Sequence, residues 1–113
     1  YAKKIKKNEL QINWNDSAAN IFNKVRAFSP NPSSFSYLEN KRIKILSSKI
    51  SKDINLSPGV ILTKEKRLYV GTSTESLEIT EVQVAGKNRM NASDFINGLI
   101  FALNKEPSFE YRQ

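Results

Sequence analysis

Residues 82–99 read VQVAGKNRMNASDFINGL, and this stretch decides how the chain is organised around its last strand and helix. Alternating apolar residues at its start are typical of a strand, and the pattern then passes through a basic turn into an amphipathic helix. Gly86 tolerates backbone angles that are closed to other residues, so the turn offers Lys87 and Arg89 to solvent. Asn91 is a favourable N-cap for the helix. The two cations are either part of a binding surface or a solvated loop that keeps the protein soluble.

The composition indicates a globular domain that lacks the commonest catalytic and metal-binding side chains. With 113 residues, of which 39% are hydrophobic and 26% charged, the chain is long enough to form one core without disulfides. It has no cysteine and no histidine, which excludes thiolate chemistry, a histidine general base and the usual zinc sites. Glu75, Glu78 and Glu81 recur every third residue, a spacing that alternates faces in a regular strand. We therefore predict no catalytic residue and no metal site in this chain.

The sequence also carries no targeting or membrane signal. No apolar run approaches the roughly 20 residues of a membrane helix, and no signal-peptide pattern is present. We therefore expect a cytoplasmic protein with no membrane partner. We also expect it to be a monomer. The chain begins at Tyr1, and its only methionine is Met90, which indicates a piece of a longer protein.

Positive charge is concentrated in the first half of the chain. Residues 1–52 contain 11 lysines and arginines against 3 acidic residues, a net charge of +8, whereas residues 53–113 contain 7 against 8, a net charge of −1. A basic field confined to one region is typical of proteins that bind polyanions, because neutralising phosphates releases their counterions. Anionic lipid would be attracted as well. Nucleic acid is the better candidate, since no long amphipathic helix carries the excess charge.

The order of hydrophobic patterns predicts a mainly β fold with a helix near each end. After Trp14, apolar residues at three- and four-residue spacing predict a helix over residues 18–28, and a second helix is predicted over 92–103. Between them, alternating patterns predict strands at 34–38, 41–48, 60–63, 67–71 and 77–84, with a bulge near Glu81 where the parity slips. Five or six short strands in about 100 residues favour a small antiparallel OB-like barrel, a fold that commonly binds nucleic acid on one face.

The second predicted strand places two cations on one side of the sheet. Arg42 and Lys44 alternate with Ile43 and Ile45, and Lys41 lies beside them next to a tight turn predicted at residues 39–40. Aromatic side chains exposed between such cations could stack bases. We expect Phe35 to lie in the core and leave the roles of Tyr37 and Tyr69 open.

Four motifs, read together, resemble the carboxyl-terminal domain of methionyl-tRNA formyltransferase. They are WNDSAA at residues 14–19, VRAFSPNP at 25–32, PGVIL at 58–62 and VAGKNRMNASDF at 84–95. Their order and spacing match across nearly the whole chain. The resemblance implies an OB-like domain at residues 14–113 that follows a basic interdomain linker at residues 1–13.

The same resemblance implies a function that is divided between two domains. The intact enzyme would transfer a formyl group from 10-formyltetrahydrofolate to methionine on initiator tRNA. The catalytic Asn, His and Asp of that family belong to an amino-terminal domain that is absent from this chain, so this domain would bind initiator Met-tRNA without catalysing the reaction or holding a cofactor itself.

The resemblance also adds candidate tRNA contacts to those found from the strand pattern. The match to the family's basic linker adds Lys3, Lys4, Lys6 and Lys7, and the family motifs add Lys87 and Arg26, although Arg26 is also compatible with a structural role. The complete set of predicted contacts is Lys3, Lys4, Lys6, Lys7, Arg26, Lys41, Arg42, Lys44, Lys87 and Arg89. Of these, Lys87 and Arg89 are expected at the distal edge.

A second interpretation remains open. Similar domains occur in formyltransferases that act on sugar nucleotides or folate-linked substrates, where the domain would be a structural accessory that needs no tRNA surface. Clustered charge argues against that alternative, because solubility does not require clustering.

Overall fold

The computed structural model describes residues 10–28, 33–38 and 41–102, with the backbone alone for residues 28 and 98–102. The two described helices are α1 (Ala18–Phe28) and α2 (Ala92–Ala102). The described strands are β1 (Ser34–Leu38), β2 (Lys41–Ser51), β3 (Ile61–Lys64), β4 (Arg67–Val70), β5 (Ser76–Val84) and β6 (Arg89–Asn91). The prediction of a small, mainly β fold of five or six strands with a helix near each end is confirmed.

All six strands join one antiparallel sheet with the order β1-β2-β5-β4-β3. The short strand β6 also pairs with β5, through Glu81, Val82 and Gln83, whereas β4 pairs with the earlier part of β5. Strand β5 therefore pairs with three strands, β2, β4 and β6. Because its side chains alternate between the two faces of the sheet, β5 decides which residues of those strands share a face.

The strand boundaries differ from the predicted ones at two places that affect the charged surface. Strand β2 continues to Ser51, three residues beyond the predicted end at residue 48, so Lys49 belongs to the sheet. Strand β6 was not predicted: Arg89 lies on a strand, not in a turn. A strand of three residues is too short to be recognised from alternation in the sequence. It forms because its backbone pairs with β5.

A double irregularity lets β2 and β5 keep their apolar residues on one side. Between the pairs Ile45–Val82 and Ser48–Ile79 the register shifts twice, leaving one extra residue first on β2 and then on β5. The parity slip predicted a bulge near Glu81, and this is confirmed. Its consequence is that Leu77, Ile79, Val82 and Val84 are all buried.

The core lies between the inner face of the sheet and the two helices. Helix α1 begins after Ser17, whose hydroxyl oxygen accepts a hydrogen bond from the Asn20 amide at 3.1 Å. It contributes Ile21 and Val25 to the core, and α2 contributes Phe95 and Ile96. Neither helix among the described residues is long and apolar enough to span a membrane.

The described end of the basic amino-terminal segment packs on the edge of β1. The amide of Ile12 donates to the carbonyl of Phe35 at 2.8 Å, and the amide of Phe35 donates to the carbonyl of Leu10 at 3.0 Å. Ile12 is completely buried in the core. These contacts cover the edge of β1 that faces away from β2, and they engage both the amide and the carbonyl of Phe35.

Candidate nucleic-acid interface

Alternation along β2 separates its basic side chains from the core. Ile43 and Ile45 are buried against the helices, while Arg42 and Lys44 are half-buried on the opposite side of the sheet. We call that opposite side the outer face. The sequence prediction that these two cations share a sheet face is confirmed.

A row of polar residues crosses the outer face at right angles to the strands. Lys44 pairs with Phe35 of β1 and with Gln83 of β5, and Gln83 in turn pairs with Arg89 of β6. Adjacent strands lie about 4.8 Å apart, so Lys44 and Arg89 are separated by about 10 Å across the sheet. Arg89 therefore shares a row with Lys44, whereas the sequence suggested a distal position.

The turn that carries Lys87 is hydrogen-bonded to Gln83, a member of this row. Gly86 has a φ of 79°, a backbone conformation that favours glycine, as predicted. The Lys87 amide donates to the Val84 carbonyl at 3.0 Å, and the Gln83 side-chain amide donates to the Lys87 carbonyl at 2.9 Å. Lys87 is exposed at the rim. We define the outer basic face as Arg42, Lys44, Gln83, Lys87 and Arg89.

Within the described ranges, one acidic side chain borders the outer basic face. Glu81 forms an ion pair with Arg89, and both side chains are partly exposed to solvent, 34% and 58% respectively. An exposed pair of this kind contributes less than about 1 kcal/mol to stability. The pair nevertheless matters for binding, because Arg89 faces a carboxylate before any ligand arrives.

Two aromatic residues lie among these cations, and one of them holds an arginine. The Arg42 guanidinium carbon lies 4.0 Å from the centre of the Phe35 ring, and the Tyr37 ring meets Phe35 edge-on at 5.7 Å. Phe35 is only 1% exposed, as expected for a core residue. However, its register with Lys44 assigns it to the outer face, beneath Arg42, and it does not belong to the main core cluster.

The structure does not bring the remaining predicted residues to this face. Lys41 pairs with buried Leu38, so alternation places it on the inner side, opposite to Arg42. Arg26 is exposed at the end of α1 and lies 5.7 Å from the Phe22 ring, on a helix that packs against the inner face. Four predicted contacts lie outside the described residues, namely Lys3, Lys4, Lys6 and Lys7.

The β3–β4 half of the sheet has a different outer surface. There Glu78 pairs with Lys49 on one side and with Tyr69 on the other. Arg67 hydrogen-bonds to Tyr69, and this bond, together with attraction to Glu78, raises the pKa of the Arg67 guanidinium. We define the outer mixed-charge face as Lys49, Arg67, Tyr69 and Glu78. Tyr69 is buried there, at 8% exposure, so its ring is not offered to a ligand.

The bulge also changes the position of the acidic residues of β5. A regular strand would place Glu78 and Glu81 on opposite faces, but the extra residue between them leaves both on the outer side, flanking buried Ile79 and Val82. Each carboxylate has a cation for a neighbour. Within the described part of the chain, no group of three acidic residues forms a possible metal site.

Sequence reasoning missed one member of the outer basic face, Gln83, and Phe35, the residue that supports another member. Gln83 carries no charge, and only its pairing with both Lys44 and Arg89 shows that it connects them. The role of Phe35 as a support for Arg42 was also missed. The sequence signal was present in both cases, since each residue alternates with inward-facing neighbours, but the strand register was needed to interpret it.

A family model describes most of this chain. The formyl transferase carboxyl-terminal domain model matches residues 4–99. The match includes α1, all six strands and the start of α2. It therefore spans the complete outer basic face.

Curated relatives are similar over nearly the same region. The methionyl-tRNA formyltransferase of Thermodesulfovibrio yellowstonii is 41% identical over 98 residues, covering 87% of this chain and 32% of that protein. The methionyl-tRNA formyltransferase of Syntrophomonas wolfei is 36% identical over 100 residues, with the same two coverages. The chain thus spans about a third of the length of the relatives it matches.

Solved structures share the fold at low sequence identity. HypX from Aquifex aeolicus superimposes with a TM-score of 0.76 for a multiple variant and 0.74 for a complex with tetrahydrofolic acid. In both, the identity is 16% and the match covers 96% of this chain and 22% of HypX. This similarity supports the architecture described above.

Proposed function

Since the chain belongs to the formyl transferase carboxyl-terminal domain family, we propose that it is the tRNA-binding domain of a methionyl-tRNA formyltransferase. The longer protein would transfer a formyl group from 10-formyltetrahydrofolate to the methionine on initiator tRNA. This domain would hold the tRNA while the reaction takes place in another domain. The observation that carries the proposal is the outer basic face, where no carboxylate is paired directly with Arg42 or Lys44: Arg42 pairs with Tyr37, and Lys44 pairs with Phe35 and Gln83.

The electrostatics of this face suit a phosphate backbone. Among the described residues, this face has four cations and one bordering carboxylate, which pairs with Arg89, and the neighbours of Lys44 across the sheet, Phe35 and Gln83, are neutral. Each phosphate that such cations neutralise releases condensed counterions, which makes binding strong at low salt and weak at high salt. Contacts of this kind position an RNA but do not read its bases. The domain would therefore orient tRNA, and selection of the initiator would depend on contacts made elsewhere.

The chemistry of formyl transfer would belong to the rest of the longer protein. The relatives are about three times as long as the region matched, and this chain has neither histidine nor cysteine. We infer that the folate donor and the groups that transfer protons lie in the other domain. A protein that acts on aminoacylated tRNA would work in the cytoplasm, and we expect it to be a monomer, which sedimentation at several concentrations would test.

Binding of this chain to tRNA at several salt concentrations tests the proposal directly. We expect the dissociation constant for initiator tRNA to rise by at least tenfold between 50 and 200 mM salt, about what two or three phosphate contacts would produce. Lys44→Glu should weaken binding by about tenfold. The matched control is Lys41→Glu, which changes the net charge equally, three residues away on the same strand, but on the inner side.

Two outcomes would contradict the proposal. If the chain does not bind tRNA even at low salt, the alternative of a structural accessory domain in a small-molecule formyltransferase is favoured. If Lys41→Glu and Lys44→Glu weaken binding equally, net charge alone is responsible and the outer basic face is not the binding surface.

A further inference from the structure

We propose that Arg42, supported by the Phe35 ring, is the fixed phosphate-binding group of the outer basic face, and that its ligand is a single phosphodiester of the RNA backbone. This inference rests on the proposed function, because it names one position within the surface that would hold tRNA. It goes further in distinguishing one cation, which is held in place before binding, from others that act as mobile or neutralised charges.

The support beneath Arg42 is rigid. The Phe35 ring is 1% exposed, and the Tyr37 ring meets it edge-on with an angle of 86° between the two planes. Both backbone groups of Phe35 are hydrogen-bonded: its amide donates to the Leu10 carbonyl, and its carbonyl accepts from the Ile12 amide. A guanidinium lying over such a ring gains cation–π attraction of about 0.5–2 kcal/mol and loses little further freedom when it binds.

The hydrogen-bonding groups of Arg42 have no acceptor among the described residues. Its Nε atom is buried and has no acceptor among the described residues. No hydrogen bond joins its two terminal nitrogens to the described residues either, and the residue as a whole is half-buried. A planar pair of terminal N–H groups matches two oxygens of one phosphate, a geometry that a lysine cannot offer.

On the side of β5, the described neighbour of Arg42 is a small, exposed residue. The Ala85 amide donates to the Arg42 carbonyl at 3.0 Å, which places Ala85 beside Arg42 where β5 ends. Ala85 is exposed, and its side chain is a single methyl group. A phosphate can therefore approach the guanidinium without displacing a larger side chain.

The other cations of the outer basic face are less suited to this role. Arg89 has the same planar group but is paired with Glu81. Lys44 carries a compact charge on a flexible chain, and Lys87 lies at the tip of a turn. Among the four, Arg42 alone combines a forked donor, a rigid support and no acidic partner within the described residues.

The test compares conservative substitutions that preserve charge. Arg42→Lys keeps the charge but removes the fork, so we expect the dissociation constant for tRNA to rise about tenfold, the loss expected for one charged hydrogen-bond pair. The slope of log affinity against log salt should stay unchanged, since the number of released counterions is the same. The matched control is the reverse exchange at the neighbouring position, Lys44→Arg, which should alter affinity by less than twofold.

A second variant tests the support independently. Phe35→Leu retains an apolar side chain but removes the ring, and we expect it to weaken binding about as much as Arg42→Lys. The double variant should then be little weaker than either single variant, because both remove the same oriented guanidinium. Thermal unfolding of Phe35→Leu will show whether it folds, and if it does not, Arg42→Lys decides alone.

The results that would overturn this inference differ from those that would overturn the proposed function. If the unmodified chain binds tRNA with steep salt dependence but Arg42→Lys binds equally well, Arg42 is a simple point charge and the inference is wrong. If Arg42→Lys weakens binding to vesicles containing anionic lipid as much as binding to tRNA, the ligand is not specifically an RNA phosphate. Absence of any tRNA binding would instead contradict the proposed function.

Discussion

The outer basic face and the outer mixed-charge face have similar residue types but different electrostatics. Each contains two or more cations on neighbouring strands of one sheet, and a tyrosine accompanies each: Tyr69 belongs to the mixed-charge face, and Tyr37 pairs with Arg42 of the basic face. In the mixed-charge face, Glu78 lies between Lys49 and Tyr69 and attracts Arg67. In the basic face, the equivalent place beside Lys44 is taken by the neutral Gln83. The comparison shows that the cross-strand partner of a cation decides whether its charge is available to a ligand.

The largest effect is expected at Gly71, where two backbone segments of the sheet domain that carries both faces approach each other closely. A Cβ atom at Gly71, just after β4, would lie 2.1 Å from the Ser57 carbonyl oxygen and 2.6 Å from that of Leu56. Because both are backbone atoms, Gly71→Ala should lower the free energy of unfolding by about 3 kcal/mol or more, measured in urea.

The control for that substitution is the glycine of the basic face. Gly86→Ala meets no atom within 4 Å and is strained only by its φ of 79°. It should cost about 1 kcal/mol. Equal losses at the two positions would show that the close approach at Gly71 does not constrain the chain.

The second prediction concerns a substitution that gives the basic face a carboxylate like that of the mixed-charge face. Gln83→Glu places a carboxylate beside Lys44 and Arg89, so it should weaken tRNA binding by about tenfold at low salt. Gln83 also donates to the Lys87 carbonyl, a bond that glutamate cannot make. Gln83→Met therefore serves as the uncharged control, and a loss of the same size in both variants would assign the effect to the turn rather than to charge.

The third prediction removes the acidic residue that already borders the basic face. Glu81→Gln releases Arg89 from its ion pair, so we expect about threefold tighter tRNA binding and a steeper salt dependence. Binding would be measured by fluorescence anisotropy across a salt series. In an Arg89→Gln background the gain should shrink, and an undiminished gain would mean that Arg89 does not contact the RNA.

The smallest effect is expected in the mixed-charge face. Glu78→Gln leaves Lys49 and Arg67 without their shared carboxylate, in the half of the sheet that we place outside the binding surface. We expect less than a twofold change in tRNA affinity. A gain equal to that of Glu81→Gln would extend the binding surface over both halves and remove the distinction between them.

Much of the fold could be predicted because its signals are local. Ser34–Leu38 matches β1 at both ends, and the cap at Asn91 is present, with its side-chain oxygen accepting from the Asp94 amide at 2.9 Å. The parity slip in β5 predicted the bulge, because an apolar pattern that changes face must be realigned for the core. Strand β6 could not be predicted, since three residues form a strand there only because β5 offers free backbone groups.

The candidate site was predicted in part for the same reason. Alternation within one strand was sufficient to place Arg42 and Lys44 on one face. It also implied that Lys41 lies on the other, although proximity to the turn suggested otherwise. Phe35 was expected in the core because it is large and apolar, yet it is buried on the outer face by Arg42 and Tyr37. The burial was predictable from residue type, but the face depended on the register.

The sequence by itself determined the number and order of most elements, the uneven distribution of charge and the absence of histidine and cysteine. These properties follow from residue identity and local periodicity, which require no knowledge of distant contacts. Only the tertiary structure decided that Arg89, from the near-neutral half of the chain, lies in one row with Lys44. Strand pairing brings together residues that are 45 positions apart, and the register of β2, β5 and β6 determines which charges are neighbours.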